Sequence, residues 1–266
     1  MTGAADDAMA EQAVTLTLQR GLEVLRAFRA DRAPLSNIEL VRRTGYSKAV
    51  VSRLTSTLLQ LGFLRRAAGG QLFELGSGAL GIGHAFLEGS PVRRLARPLM
   101  QRLADELDVS VALGVGDHLD MLYVAYCTGE RIATLRLGEG SVLPMSFTSI
   151  GRAWLHALPP AERDTHVGML LAAAGTQAGI LRESIASAFE DIDASGACVC
   201  IGEFQRDAYG ISTPLHAGRH RLPMALSCGA VGLRPSLAAV RKRVVPRLRQ
   251  AARELEALLA GLDDCH

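Results

Sequence analysis

Lysine is almost missing from this 266-residue chain: of its 29 basic residues, only Lys48 and Lys242 are not arginine. An arginine bias of that kind reads as genomic base composition, so no arginine is given a role on its type alone. Cysteine occurs five times, an odd number at irregular spacing, which excludes a disulfide framework. No apolar run approaches the roughly 20 residues of a membrane span. Met1 to Glu11 lacks the basic start and apolar core of a signal peptide. The chain is therefore expected to be cytoplasmic and to have no membrane partner. What is present, 48% apolar and 21% charged residues over a length suited to about two domains, is an ordinary globular composition.

The stretch SNIELVRRTGYSKAVVSRLTSTLLQLGFL, residues 36 to 64, reads as two short helices joined by a tight turn, the layout of a helix-turn-helix. Ser36 and Glu39 form a capping box, each side chain placed to bind a backbone N–H that the helix start leaves free. Ile38, Leu40 and Val41 supply the apolar side of the first helix, and Gly45 ends it by taking the positive φ that a sharp turn needs. Ser47 suits the N-cap of the second helix, which runs to about residue 60 with Val50, Val51, Leu54, Leu58 and Leu61 as its buried stripe. Outward near its start lie Ser47, Lys48, Ala49, Ser52, Arg53 and Ser56, short or polar residues of the kind a recognition helix brings to base edges in the major groove. Phe63 to Arg66, a turn over 67 to 70 and Gln71 to Glu74 then read as the hairpin of a wing.

Two amphipathic helices joined through a glycine also occur in all-α folds unrelated to nucleic acid, and charge decides between the readings. Thr15 to Leu75 carries 10 basic and 4 acidic residues, 10 − 4 = +6, against +2 for the whole chain, which leaves −4 elsewhere. A basic excess concentrated on the motif is the footprint of phosphate binding. The expected contacts to a double-stranded operator are Arg20, Ser36, Arg42, Arg43, Ser47, Lys48, Ala49, Val50, Ser52, Arg53, Arg65 and Arg66. Among these, Lys48 and Arg53 are expected at bases or phosphates, Ser47, Val50 and Ser52 close to bases, Arg65 and Arg66 on flanking backbone, and Arg42 and Arg43 on phosphate or in solvent.

Residues 1 to 13 read as a disordered tail, 14 to 75 as the winged helix-turn-helix, 76 to 90 as a linker helix with His84 on its surface, and 91 to 266 as a domain for effector binding and oligomerisation. Thr15 to Phe28 is expected to be helical, with Leu16, Leu22, Leu25 and Phe28 inward. Val92 to Leu107 is an amphipathic helix. Beyond it, strands are expected at 109 to 116, 121 to 126 and 132 to 137, a loop over 138 to 147, and a helix over 149 to 158. Helices at 161 to 173 and 178 to 194 follow, then strands at 197 to 203, 209 to 216 and 221 to 228, and a last helix over about 235 to 261. An antiparallel sheet covered by helices at its ends is an α+β arrangement.

With those elements in order, the chain resembles the IclR family of transcriptional regulators over nearly its whole length. The similarity is carried by LQRGLEVLRAF, the helix-turn-helix stretch, GSVLPMSFTSIGRAWLHALP and the pair STPL and LPMALSCG. The resemblance implies a winged helix, a linker helix and a GAF-like effector domain, homodimers or homotetramers on palindromic operators, and a small organic effector. Gly196 and Glu203 fit the family pattern, whereas Cys200 stands where it has Asp or Ser and Gly210 where it has Cys, Ser or Ala. Ser227 is kept, and Gly229 falls where members that bind small oxo-acids have a second serine. The implied effector residues are Ser149, Ile150, Gly151, Cys200, Gly210, Ser212, Ser227 and Gly229, with the free N–H groups of Ser149 and Ile150 at a helix start holding a carboxylate. A pocket with Cys and Gly for Asp and Ser is roomier and less polar, so an aromatic or otherwise larger carboxylate is expected over a two- or three-carbon acid.

Three other readings compete. Cys198, Cys200 and Cys228 with the histidines invite zinc, yet no paired C-x-x-C or H-x-x-x-H completes a ligand set, so no metal and no cofactor are expected. Cys200, Glu203 and His216 could be imagined as a catalytic group, but nothing in the sequence activates the thiol, and no enzyme is expected. A constitutive DNA-binding protein whose C-terminal half only oligomerises would need a filled core, with Tyr209 or Phe147 closing the space left by Gly210, Ser212, Ser227 and Gly229.

Overall fold

The computed structural model describes residues 14–29, 34–130, 137–231 and 236–263. The tail at 1 to 13 and, apart from Leu137, the strand expected at 132 to 137 lie outside the described residues. The chain divides into two compact units, Met1–Ala85 and Phe86–His266.

The first unit contains α1 (Leu16–Arg26), β1 (Leu35–Ser36), α2 (Asn37–Thr44), α3 (Lys48–Gln60), β2 (Leu64–Arg66) and β3 (Leu72–Leu75). Ser36 caps α2, its hydroxyl accepting from the Glu39 N–H at 3.1 Å, and Gly45 ends that helix at φ 72°. The box is not reciprocal: the Glu39 carboxylate turns to Arg42 and Arg43. Val51, Leu54 and Leu58 of α3 are buried with Val24, Leu35, Leu40, Leu64 and Phe73. Several apolar residues expected inward face solvent instead, namely Leu16 (59% exposed), Leu22 (52%), Ile38 (78%) and Leu61 (63%). In α1 the inward position is Val24, which is fully buried. The wing hairpin forms with Arg65 opposite Glu74, and β1 adds a third strand along β3 that two residues could not announce in the sequence.

Helix α4 (Ser77–Gly89) spans the boundary between the units and buries none of its residues. The second unit is built on a six-stranded antiparallel sheet in the order β6-β5-β4-β9-β8-β7. Its strands are β4 (Ser110–Asp117), β5 (Asp120–Thr128), β6 (Val142–Pro144), β7 (Cys198–Ile201), β8 (Ala208–Ala217) and β9 (Leu222–Val231). Strand β6 lies in the stretch expected to be loop; at three residues on a sheet edge it has no period to read. Alternation along the strands sends Val111, Leu113, Ile211, Leu215, Leu226 and Cys228 to one face, where they bury α5 (Pro91–Leu107) and α9 (Leu237–Leu259). The opposite face carries Ala112, Ala225 and Cys198 under α6 (Ser149–Ala157), with α7 (Pro160–Ala174) and α8 (Ala178–Ser195) beyond. Helices therefore cover both faces of the sheet rather than its ends, because each strand offers apolar side chains in both directions. Helix α6 is enclosed so fully that only His156 of its nine residues escapes burial. Gly116 permits that approach, since a Cβ there would sit 2.4 Å from the Trp154 ring.

Candidate functional site

In the first unit, the outward face of α3 presents Ser47, Lys48, Ala49, Ser52 and Arg53, all exposed, with Val50 half-buried. The Ser47 hydroxyl is engaged as N-cap, accepting from the Val50 N–H at 3.4 Å. Neither the Lys48 nor the Arg53 side chain has a hydrogen-bond or ion-pair partner among the described residues; the Arg53 carbonyl accepts from Thr57 Oγ1 at 3.1 Å. The other basic residues named above are engaged within the unit. Arg20 stacks over the Tyr46 ring at 5.5 Å, Arg66 over Phe73 at 5.3 Å, and Arg65 pairs with Glu74. Arg42 holds Glu39 through two N–H groups, at 2.9 and 2.7 Å. Arg43 is part-buried: its side chain, 16% exposed, binds Glu39 at 2.7 Å and the Ala27 carbonyl at 2.6 Å, tying the end of α1 to α2.

Hydrogen bonds from Arg42 and then Arg43 lower the Glu39 pKa from 4.5 to about 2. A carboxylate depressed in the folded state contributes stability above its unfolded value, and that contribution is lost as pH falls from about 4.5 through about 2. An NMR titration of Glu39 is expected to show its midpoint near 2, rising toward 4.5 in Arg42→Ala. An unchanged midpoint in that variant would remove Arg42 from the account.

In the second unit a cavity enclosing about 640 Å³ of empty space, part of it open to solvent, lies at the N-terminus of α6. Thr148 is the N-cap there, its hydroxyl accepting from Gly151 N–H at 3.3 Å and donating to the Pro144 carbonyl at 2.9 Å. That leaves the N–H groups of Ser149 and Ile150, the first two of the helix, without an intrahelical acceptor, and both residues line the cavity. Cys200, Gly210, Ser227 and Gly229 line it as well, brought together from β7, β8 and β9 by the pairings of Gly210 with Cys200 and with Gly229.

Gly151 and Ser212 lie behind the lining. A Cβ on Gly151 would be 2.0 Å from the Met145 carbonyl oxygen, so this glycine lets α6 dock closely on the preceding loop. Ser212 is fully buried and links two lining residues: its hydroxyl lies 2.8 Å from Ser149 Oγ and donates to Ser227 Oγ at 2.9 Å. A hydroxyl has one proton, so Ser149 donates to Ser212, Ser212 to Ser227, and the Ser227 proton is left for an acceptor in the cavity. Gly210 does not simply add room. The Ser149 hydroxyl fills the space beside it, 2.7 Å from where a Cβ would stand.

Of the remaining lining, the sequence pointed to Phe147 and Tyr209 only as groups that could close the space and to Glu203 only as a match to the family pattern. Tyr123 and Tyr126, stacked with centroids 6.1 Å apart, come from β5; Phe147 and Phe204 stand at the opening, 38% and 42% exposed. Tyr209 lines the wall without closing the space. Glu203 is the one charged side chain of the lining among the described residues. Its carboxylate meets Arg152, which is 3% exposed and donates Nη1 to Glu203 Oε1 at 3.0 Å and Nη2 to Oε2, to the Ser146 carbonyl at 3.2 Å and to Ser184 Oγ at 3.1 Å. The signal was present: an arginine within the apolar IGRAWL run of α6 must find an acidic partner.

Burial raises the Cys198 and Cys228 thiols to about 12, and Cys200 is raised too, its Sγ accepting from Arg152 Nη1 at 3.1 Å. None is a nucleophile at neutral pH. His216 is turned away, its Nε2 3.0 Å from the Ala157 carbonyl. Among the described residues no helix is long and apolar enough to cross a membrane.

Residues 84–257 match the family of bacterial transcriptional regulators described as the IclR C-terminal domain, and residues 17–68 match the IclR helix-turn-helix domain. The Pca regulon regulatory protein of Pseudomonas putida is 29% identical over 247 residues, 92% of this chain and 84% of that protein. An IclR-family transcriptional regulator from Brucella abortus superposes with a TM-score of 0.84 at 34% identity, covering 97% of this chain and 96% of that one. An IclR homologue from Microbacterium hydrocarbonoxydans, solved with 4-hydroxybenzoate, shares the fold at a TM-score of 0.66 and 22% identity, covering 91% and 98% of the two chains. The arrangement of a helix-turn-helix unit and a sheet-based unit, matched over both parts of its length, places this chain in the IclR family of transcriptional regulators, which are DNA-binding proteins and not enzymes.

Proposed function

We propose that this regulator senses a small organic carboxylate, aromatic in character, and that binding in the second unit changes how the protein holds its operator. The observation that carries the reading is the open cavity at the start of α6, whose lining combines two free N–H groups and a serine hydroxyl with tyrosine and phenylalanine rings. Helix N-termini favour anions, and stacked aromatic walls favour a flat apolar body. The Microbacterium homologue, solved with 4-hydroxybenzoate, supports the same ligand class. For the ligand to regulate, it must bind one arrangement of the protein better than another.

A thermal-shift screen against aromatic and aliphatic carboxylates tests this. A ligand at a hundredfold excess over its Kd stabilises the folded state by about 2.7 kcal/mol, which for a domain of this size amounts to a rise of several degrees. Benzoate-type acids are expected to give that rise and to alter operator binding in a gel-shift titration. A larger rise with pyruvate or glyoxylate would reverse the preference for an aromatic acid. With DNA binding intact, silence from every compound would return the protein to the constitutive reading.

The active form is proposed to be a homodimer or homotetramer on a palindromic site. Leu16, Leu18 and Leu22 of α1, and Leu80 and Ile82 of α4, are each more than half exposed, and burial against a second copy would remove that apolar surface from water. Sedimentation of the parent as a monomer at micromolar concentration would overturn this.

A further inference from the structure

The Arg152–Glu203 pair has no part in the function proposed above, yet it places a charged group on the cavity wall. Glu203 contributes a carboxylate to a lining that otherwise holds, among the described residues, only neutral side chains. On its own, a fixed negative charge on the wall would repel an anionic ligand and attract a cation. Arg152 stands directly behind it, outside the lining, and engages both carboxylate oxygens as well as Cys200 Sγ. Among the described residues it pairs with no acid besides Glu203, and Ser184 joins the same cluster, donating to Glu203 at 3.5 Å. Burial by itself would lower the arginine's proton affinity, and Glu203 together with Cys200 and Cys198 outweighs that, so the guanidinium stays charged. The pair therefore carries no net charge.

We propose that Arg152 and Glu203 set the charge selectivity of the cavity. Arg152 is a positioning and neutralising residue that never touches the ligand, and Glu203 is the wall charge it cancels. The inference rests on the carboxylate reading of the cavity. It assigns the anion preference to the cancelled pair, with the α6 N–H groups supplying the direct contacts. With the pair intact, the N–H groups and the Ser227 hydroxyl are the net electrostatic input, and they favour an anion. If Glu203 loses its charge while Arg152 keeps its own, the cavity gains a positive charge. If Arg152 is lost while Glu203 remains, the sign reverses. A charged ligand feels either change and a neutral one does not.

Isothermal titration of the full-length protein with benzoate and with its neutral isostere benzamide reads this directly. Glu203→Gln can still accept a hydrogen bond from Arg152 through its amide oxygen. It is expected to raise the benzoate-to-benzamide affinity ratio about tenfold to a hundredfold, the effect of one unit charge roughly 6–12 Å away at an effective dielectric constant near 20. Arg152→Met is expected to lower the ratio by a similar factor, and the double variant, neutral again, to return it to the parental value. If Arg152→Met does not fold, Arg152→Lys, which keeps the charge but not the two-pronged contact, must hold the ratio near parental. Affinities for both compounds that fall together in Glu203→Gln would show the pair to be a structural tie only and would overturn the inference. A parent protein that binds benzamide but no carboxylate would overturn the carboxylate reading and this inference with it, an outcome distinct from the first because the parent itself fails.

Discussion

Replacing Gly151 with alanine is expected to cost the second unit about 3 kcal/mol or more, a large part of the ~5–15 kcal/mol that holds a typical domain together. The new Cβ would stand 2.0 Å from the Met145 carbonyl oxygen and 2.6 Å from that residue's carbonyl carbon and Cα. Those are backbone atoms, so no rotamer change relieves the contact, and α6 must move away from the loop that precedes it. The gain in helix propensity from glycine to alanine is only ~1 kcal/mol and does not offset the clash. Gly168, in α7, is the control: nothing lies within 4 Å of its Cβ position, so Gly168→Ala is expected to leave stability unchanged or raise it slightly. Chemical denaturation of the two variants checks the pair. A Gly151→Ala protein that unfolds at the parental midpoint would mean that α6 docks less closely than described. Because Ser149 and Ile150 are the two residues before Gly151, any displacement that accommodates the methyl group also moves the N–H groups at the cavity, and ligand binding is expected to fall even where folding survives.

Arg53→Ala is expected to reduce operator affinity tenfold to a hundredfold, roughly the 1–3 kcal/mol of a base-directed arginine, while leaving the melting temperature unchanged. The side chain is exposed on α3 and has no partner among the described residues, so its removal leaves no buried group unsatisfied. Competition between related operator sequences, selected in vitro with the parent, separates the two modes of contact. Relaxed preference at one position indicates a base contact. A uniform loss with a salt slope smaller by about one indicates a phosphate contact. Arg42→Ala is expected to do less, since that guanidinium is already held by Glu39. A cooperative loss of fold in Arg53→Ala, or unaltered DNA binding, would place the recognition surface elsewhere.

The elements that the sequence made legible are those whose cause is local. The Ser36 and Ser47 caps reach N–H groups three residues away, Gly45 takes the left-handed turn, and Val51, Leu54 and Leu58 repeat at helical spacing. The α1 stripe misled because Leu16 and Leu22 have the right spacing to face inward, and only the position of α3 selects Val24 instead. Strands β1 and β6, two and three residues long, carry no pattern at all and exist through their partners. At the cavity, Gly210 reads as added space in the sequence, yet the Ser149 hydroxyl, 61 positions earlier, occupies it.

By itself, then, the sequence determined the family, the helix-turn-helix with its caps and turn, the order of the longer helices and of most longer strands, and the glycines and serines that gather near the cavity. Each follows from period, from side chains that reach only a few residues along the chain, or from backbone angles that glycine alone takes freely. Tertiary structure decided what those residues do. Arg152 meets Glu203 across 51 positions, Ser149 meets Ser212 across 63, and Arg43 closes on Ala27 across 16. A buried charge or hydroxyl must find a partner, but the sequence states only the need; which group meets it is decided when the sheet pairs β7, β8 and β9 and sets α6 on their face.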